Sequence, residues 1–158
     1  MRRKYSHSNR DEIMTPRRVT IKLIKKIPAS KNDSWCDPCY GNGVFYENFP
    51  TNNKKYYEIN LGRDYLKCNK KYDWNVTNIP FSKPKEFIFK MAKQSNKGFG
   101  ILCLANSMTA TRLKFLEQLG FHIHSLTILY IRKWGFGYRT DFYVFTKNKN
   151  KRFNTIVL

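Results

Sequence analysis

The most chemically specific stretch of the sequence is a loop of four residues, Asn78-Ile79-Pro80-Phe81. The amide oxygen of Asn78 and the backbone carbonyl of Ile79, held by Pro80, would offer two coplanar hydrogen-bond acceptors, which suits the two hydrogens of an NH2 group. Phe81 adds an aromatic face on which a flat base could stack. The loop therefore predicts a pocket for an exocyclic amine on a planar ring.

Two acidic segments precede this loop. Residues 37–43 read Asp-Pro-Cys-Tyr-Gly-Asn-Gly, in which Asp37 could accept hydrogen bonds from a cationic amine and the glycines would let the backbone approach a ligand closely. Glu58 follows the next predicted strand, where an acid can bind ribose hydroxyls. Because ligands of open α/β sheets bind outside the carboxyl ends of the strands, we expect these segments to share one site.

The elements that must position these residues alternate between strands and helices. Threonine is a good N-cap and proline suits the first helical position, so Thr15-Pro16 predicts the start of a helix that Pro28 ends. Further helices are predicted from Pro84 onward and up to Gly120. Strands are predicted over residues 34–37, 55–59, 72–77 and 98–105, and a hairpin over residues 121–132 and 138–147. This order predicts an α/β fold with a mostly parallel sheet and a C-terminal antiparallel hairpin.

Composition indicates one domain and a polyanionic partner. A chain of 158 residues with 41% hydrophobic residues can bury one core, which we assign to residues 15–147, between a flexible basic tail (residues 1–14) and a basic C-terminal segment (residues 148–158). The net charge of +19 comes from 30 basic and 11 acidic residues, an imbalance beyond what solubility requires. DNA or RNA is the expected partner, and a merely solvated surface is the alternative.

The predicted hairpin tip concentrates aromatic and basic side chains, which is what a single strand or an extruded base would meet. The alternative is that its aromatic residues cover the end of the core. The candidate nucleic-acid contacts at this tip are Arg132, Lys133, Trp134, Phe136, Tyr138 and Arg139.

Other classes of protein fit the sequence less well. No segment approaches the roughly 18 consecutive apolar residues of a membrane span, so we expect a soluble, intracellular protein without a membrane partner. Residues 35–39, Trp-Cys-Asp-Pro-Cys, are similar to the Trp-Cys-Gly-Pro-Cys of thioredoxins, but the glycines that follow would destroy the helix that such a redox site needs. A zinc site built on Cys36, Cys39 and Cys68 lacks an obvious fourth ligand, and no metal is expected.

In order along the chain, Thr15-Pro16, the turn of residues 37–43, Glu58, Asp64 and the loop of residues 78–81 resemble class I S-adenosylmethionine (SAM)-dependent methyltransferases that modify adenine N6. The resemblance spans about residues 15–147. It implies a Rossmann-like class I methyltransferase fold, SAM as the cofactor and a base of DNA or RNA as the substrate.

The resemblance also implies roles for the matched residues. The glycine turn would hold the methionine part of SAM, the acid after the second strand would take the ribose, and the next acid would face the adenine amine. Asn78 and the Ile79 carbonyl would accept the hydrogens of the target amine, whose nitrogen would attack the methyl group. The residues so implied for cofactor binding are Thr15, Asp37, Pro38, Gly41, Gly43, Glu58 and Asp64.

Two departures from the family pattern matter. Ile79 stands where many DNA methyltransferases have proline, and it makes the loop similar to that of ribosomal RNA adenine methyltransferases, so both DNA and RNA stay open. Only five residues separate Glu58 from Asp64, which predicts that the helix and strand usually found there are cut short.

The same residues allow other functions. A catalytically silent member of the fold could serve as a nucleic-acid-binding or partner subunit, although the intact order of Asp37, Glu58 and Asn78 favours an enzyme. A protein-glutamine methyltransferase could place a side-chain amide in the same loop, but the positive charge favours nucleic acid. Since a separate recognition domain does not fit in the chain, a recognition subunit or a second copy of the chain is a further candidate partner.

Overall fold

The structure is a computed structural model that describes residue 11, residues 13–131 and 139–149, and the backbone of residues 154–157. The helices of this part are α1 (Arg17–Ile24), α2 (Val44–Glu47), α3 (Pro84–Gln94) and α4 (Ala110–Gln118). Its strands are β1 (Trp35–Asp37), β2 (Lys54–Tyr56), β3 (Tyr72–Asn78), β4 (Ser95–Leu104), β5 (His122–Leu129), β6 (Thr140–Thr146) and β7 (Asn154–Val157).

All seven strands belong to one sheet, in the order β2-β1-β3-β4-β6-β5-β7. Strands β2, β1, β3 and β4 are parallel to one another, while β6 runs antiparallel to both β4 and β5. The predicted α/β fold with a mostly parallel sheet and an antiparallel β5–β6 hairpin is therefore confirmed. Strands with both faces covered are typically apolar throughout, and every residue of β6 is buried.

Helices cover both faces of the sheet and divide the core in two. On one face, α3 contributes Ile88 and Met91 to a cluster that includes Phe99 of β4. On the other face, Leu23 of α1 packs in a cluster with Trp35 of β1. Strands β1 and β3 are parallel, so their carboxyl ends lie at the same end of the sheet. Helices α1 and α3 do not cover that end.

The first helix begins differently from its prediction. Pro16 is the N-cap residue of α1, and no side chain caps the helix, so Thr15 lies one residue before the position predicted for it. The side chain of Thr15 is nevertheless buried, and its hydroxyl has no hydrogen-bond partner within the described part of the chain. The Pro16 carbonyl accepts the backbone N–H groups of Val19 and Thr20. These bonds start the helix without the side chain of Thr15.

The segment between β2 and β3 contains no further strand or α-helix, as the short spacing from Glu58 to Asp64 predicts. It forms two 3-10 turns, Ile59–Leu61 and Tyr65–Lys67, and β2 is an edge of the sheet. Glu58 caps the first turn by accepting the Asn60 N–H, and Asp64 caps the second by accepting the Leu66 N–H. Both acids are thereby held in place without the support of a further strand.

The seventh strand was not predicted. The sequence indicated only a basic segment after residue 147, whereas residues 154–157 pair in parallel with β5 from Ser125 to Ile128. Its residues Thr155, Ile156 and Val157 are β-branched and suit an edge strand. Among the described residues, no helix is long and apolar enough to cross a membrane.

Candidate functional site

A cavity of about 320 Å³ opens where β1, β2 and β3 end. Its volume lies in the range of small-molecule sites in proteins. The glycine turn lines one side of it and the Asn78 loop lines another, so these two segments share one cleft. The predicted site residues in its lining are Thr15, Pro38, Gly41, Glu58, Asp64, Asn78 and Pro80.

The glycine turn depends on left-handed backbone conformations at Gly41 (φ +54°) and Gly43 (φ +81°). A Cβ atom on Gly43 would lie 2.6 Å from the hydroxyl oxygen of Tyr40, so a larger residue would displace the Tyr40 ring and would strain the backbone at this φ. The Gly41 N–H donates to Glu58 Oε2 at 2.9 Å, which joins the turn to the end of β2. Gly41 lines the cavity, whereas Gly43 is not part of the lining and ends the turn at the N-cap of α2.

Asp37 lies beneath the turn and not in the cavity lining. Its side chain is fully buried and accepts hydrogen bonds from Thr77 Oγ1 (2.7 Å), the Cys39 N–H (3.2 Å) and the Tyr46 N–H (3.2 Å). Burial raises the pKa of Asp37 to about 7, although these hydrogen bonds oppose the shift. The geometry therefore gives Asp37 hydrogen bonds to the turn and to β3 and places it outside the cavity lining.

The two other acids do line the cavity. Glu58 accepts backbone N–H groups from both the glycine turn and the 3-10 turn that follows it. Asp64 is partly exposed, and Lys67 Nζ lies 4.0 Å from its Oδ2. Its Oδ1 accepts the Leu66 N–H, whereas a surface contact such as that with Lys67 is weak and would not prevent Oδ2 from accepting a hydrogen bond from a ligand.

The nitrogen and the oxygen of the Asn78 side-chain amide have different surroundings. Its Nδ2 donates to the backbone carbonyl of Ile13 at 3.1 Å. Its Oδ1 is buried and has no hydrogen-bond partner among the residues that the structure describes. A buried amide oxygen without a partner costs free energy, so this atom is suited to accept a hydrogen bond from a ligand.

The rest of this loop is divided between core and cavity. Pro80 lines the cavity, while the Ile79 side chain is buried in the core, so only the backbone carbonyl of Ile79 could contact a ligand. Phe81 is partly exposed and lies outside the cavity lining. The structure thus brings Asn78 and Pro80 to the cleft and leaves Phe81 beside it.

Several lining residues escaped the sequence analysis. Asp11, Ile13 and Met14 belong to the segment assigned to a flexible tail, yet all three line the cavity. The local signal for them was slight: Asp11 is one of two acids in a segment that is mostly basic. Other unpredicted lining residues lie within two positions of a predicted site residue, among them Tyr65, Ser82 and Lys83.

Most of the predicted nucleic-acid contacts cannot be placed. Arg132, Lys133, Trp134, Phe136 and Tyr138 lie outside the described residues. Arg139 is described, and its Nη2 donates to Oδ2 of the fully buried Asp141 at 2.9 Å. The Arg139 side chain is 56% exposed, so it can meet an external group as well as this carboxylate.

The four cysteines are unbridged in the structure. All four thiols are free, and burial raises the pKa values of Cys36 and Cys39 well above the usual range of a thiol. Reactive thiols have lowered pKa values, so this environment disfavours thiol-disulfide exchange. In the described part of the chain, no cluster of His, Cys, Asp or Glu side chains is arranged to hold a metal ion.

No protein-family model matches the sequence, and no curated protein matches it either. Solved structures, in contrast, have the same fold. A protein from Pyrococcus horikoshii described as a proposed RNA methyltransferase superposes with a TM-score of 0.63 at 18% identity, with 82% of each chain covered. The M protein of the type I restriction enzyme EcoKI superposes with a TM-score of 0.68 at 14% identity. That match covers 87% of this chain but only 44% of the M protein.

A third similar structure is magnesium protoporphyrin IX methyltransferase from Synechocystis, which was solved with bound SAM. Its TM-score is 0.59 at 12% identity, and 82% of this chain and 79% of that chain are covered. These likenesses establish that the chain has the class I methyltransferase fold. At such low identity they establish the fold alone.

Proposed function

We propose that this chain is a SAM-dependent methyltransferase that modifies an exocyclic amine of a nucleic-acid base, with adenine N6 as the target that fits best. The observation that carries the proposal is the cleft with two unlike walls. One wall has the glycine turn and two acids, and the other presents Asn78 Oδ1, which has no hydrogen-bond partner among the described residues. The similar solved structures that are methyltransferases support the cofactor assignment.

The residues of the first wall fit SAM. The turn at Gly41 would hold the methionine part, Glu58 the ribose hydroxyls and Asp64 the adenine amine. Thr15 has a buried hydroxyl without a partner in the described structure, and it lines the same cavity, so it can bond a polar group of the cofactor. Asp37 and Gly43 would act by keeping the turn in shape.

The second wall would bind and orient the target amine. Asn78 Oδ1 and the Ile79 carbonyl would each accept one N–H hydrogen, which directs the nitrogen lone pair away from both acceptors and toward the other wall. SAM, when bound, supplies an activated methyl group on a sulfonium. Most of the rate enhancement would then come from positioning, because SAM would carry the reactive group, and the amine would release one of its two hydrogens to solvent as a proton when its nitrogen gains the methyl group.

The charge of the chain supports nucleic acid as the source of the amine. A net charge of +19 favours a polyanion, and Lys83 places a cation in the cleft lining. Phe81 and the hairpin tip, including Trp134 and Arg139, would contact the base or its neighbours. A target base must leave its stack to enter such a cleft, so single-stranded or distorted substrates should be preferred.

The test is a methyl-transfer assay with the full chain. Protein is incubated with methyl-labelled SAM and separate pools of single-stranded DNA, duplex DNA and structured RNA, and the modified nucleoside is identified by mass spectrometry. We expect N6-methyladenosine or its deoxy form, with more label in single-stranded DNA or structured RNA than in duplex DNA. SAM binding without transfer to any pool would instead favour a catalytically silent subunit, and no SAM binding would refute the proposal.

A further inference from the structure

We infer that Asp11 and Ser82 are positioning residues that, through the backbone of Ile13, hold the Asn78 side chain in the orientation that presents its oxygen to the substrate. This inference rests on the proposed function, since it concerns how the same loop binds an amine. It assigns a role to the residues before α1, which the sequence places in a basic tail.

The described residues before Thr15, namely Asp11, Ile13 and Met14, are called the strap here. The strap contacts both walls of the cleft. The Ile13 carbonyl accepts from Asn78 Nδ2 at 3.1 Å, on the acceptor wall. On the glycine wall, Met14 Sδ lies 3.1 Å from the position that a Cβ atom on Gly41 would take. The strap therefore crosses the cleft between the loop that would bind the amine and the turn that would bind SAM.

The contact at Ile13 matters because an asparagine amide has two ends of nearly equal size and opposite chemistry. The Nδ2 end only donates and the Oδ1 end only accepts. If Asn78 turned over, it would present a donor to an amine that also donates, and the amine would not bind. A carbonyl oxygen accepts only from Nδ2, so the Ile13 contact selects the orientation that leaves Oδ1 without a partner in the described structure.

The Ile13 carbonyl can do this only if the strap is held on both sides. After Ile13, Thr15 is 3% exposed and leads directly into α1. Before Ile13, the carboxylate of Asp11 accepts two hydrogen bonds from Ser82, one from its backbone N–H at 3.0 Å and one from its hydroxyl. Bonds to an ionised acceptor are stronger than neutral ones, and chain termini fray unless they are tied down. Asp11 and Ser82 thus form a latch beside the loop that contains Asn78.

The latch is tested by removing its carboxylate, with a charge-matched control. Asp11→Ala, Asp11→Asn and Ser82→Ala are compared with Glu117→Ala, which also removes one negative charge but from an exposed position on α4, away from the cavity lining. The control is needed because losing any acid strengthens attraction to a polyanion. For each variant, kcat and KM for methyl transfer to a single-stranded oligonucleotide are measured together with the Kd for SAM.

We expect Asp11→Ala to lower kcat by about tenfold or more, since small misplacements of a positioning group have effects of this size or larger. Asp11→Asn keeps one acceptor oxygen and should lie between Asp11→Ala and the wild type. Ser82→Ala keeps the backbone N–H of residue 82 and should therefore lower kcat less than Asp11→Ala does. The Kd for SAM should stay within about twofold in all variants, because the contacts assigned to SAM do not include Asp11 or Ser82.

The outcomes separate this inference from the function on which it rests. A wild-type chain that transfers no methyl group refutes the proposed function. If the wild type is active and Asp11→Ala has an unchanged kcat, the positioning role is wrong while the function stands. A raised kcat in Asp11→Ala would also overturn the inference, since the strap would then obstruct the substrate. An equal fall in Glu117→Ala would assign the effect to charge and not to the latch.

Discussion

At the scale of single residues, Asn78 and Asp37 show two different ways in which a polar side chain serves the cleft. Asn78 keeps one buried oxygen unpartnered in the described structure, at a cost that a ligand would offset. Asp37 accepts from three donors and has no exposed surface. The first residue is therefore suited to bind, and the second to support.

For Asn78, we predict that Asn78→Ala lowers methyl transfer by at least about 100-fold, because the amine loses an acceptor that orients it. The Kd for SAM should change by less than about threefold, since the contacts proposed for the cofactor lie on the other wall. Label transfer and calorimetry measure the two quantities. Asn96→Ala, on an exposed residue at the start of β4, is the matched control and should be fully active. Full activity of Asn78→Ala would remove Asn78 from the mechanism.

For Asp37, the raised pKa predicts how stability depends on pH. The pKa is about 7 in the folded chain and 3.8 without burial, so the folded state holds a proton that the unfolded state has lost between these values. The contribution of Asp37 to the free energy of unfolding is thus full below about pH 4 and declines as the pH rises to 7, by on the order of 4 kcal/mol at most.

The measurement is urea unfolding of the wild type and of Asp37→Asn from pH 4 to 8. Asparagine does not titrate, so the free energy of unfolding of the wild type relative to the variant should fall across pH 4 to 7 and then level off. Other carboxylates affect both proteins alike and cancel in the difference. A constant difference over this range would contradict the raised pKa.

At the scale of elements, the cleft depends on the first half of the sheet, whereas β7 lies at the opposite edge. Strands β1, β2 and β3 end at the cavity, and β7 pairs only with β5. The two 3-10 turns that replace a longer connection keep Glu58 and Asp64 at the cleft through side-chain caps. Stability and ligand binding should therefore respond separately to changes at the two edges.

A chain that ends at Lys149 tests this separation. Without β7, the edge of β5 loses its strand partner, and the melting temperature should fall by several degrees, at about 2–4 °C per kcal/mol for a chain of this size. The Kd for SAM should be unchanged at temperatures well below the transition. Thermal unfolding followed by circular dichroism, with calorimetry for SAM, provides both values.

The truncation also removes Lys151 and Arg152, so charge needs its own control. The full-length double variant Lys151→Ser and Arg152→Ser keeps the strand and loses the same two charges. It should melt close to the wild type. If it melts as low as the truncated chain, the loss would belong to the charges and not to β7.

At the scale of the whole molecule, charge is the dominant feature. Ten of the basic residues lie within residues 1–31, the stretch that contains the strap and α1. Charge of this density raises the concentration of a polyanion near the protein and makes its binding dependent on salt. The fold supplies the cleft, and the surface charge would bring the substrate to it.

We therefore predict that affinity for a single-stranded oligonucleotide falls steeply with salt. Each phosphate contact contributes about −0.7 to the slope of log K against log salt for a single strand, so a slope of about −3 or steeper is expected. Fluorescence anisotropy between 50 and 300 mM KCl measures this slope. SAM binding under the same conditions is the control, and its affinity should depend little on salt. A slope near zero would mean that the charge does not serve nucleic-acid binding.

Much of the architecture followed from local patterns in the sequence. The β3 strand and its Asn78 loop, the start of α3 at Pro84 and the β5–β6 hairpin were all predicted, because runs of apolar residues, prolines and glycines restrict the backbone within a few residues. The spacing from Glu58 to Asp64 also predicted the short connection at the β2 edge. The glycine turn was placed opposite the Asn78 loop because the carboxyl ends of parallel strands lie at the same end of a sheet, where ligands bind.

Contacts between distant residues decided the rest. Asp11 reaches Ser82 across 71 positions of sequence and Ile13 reaches Asn78 across 65, so no local pattern could assign the strap to the cleft. Asp37 was expected to face a ligand, but its burial depends on Thr77 and on the backbone of residues 39 and 46. Residues 154–157 pair with β5, about 29 positions earlier in the sequence, at an edge that no local pattern identifies. In each case the deciding free energy comes from a partner that the neighbouring sequence does not contain.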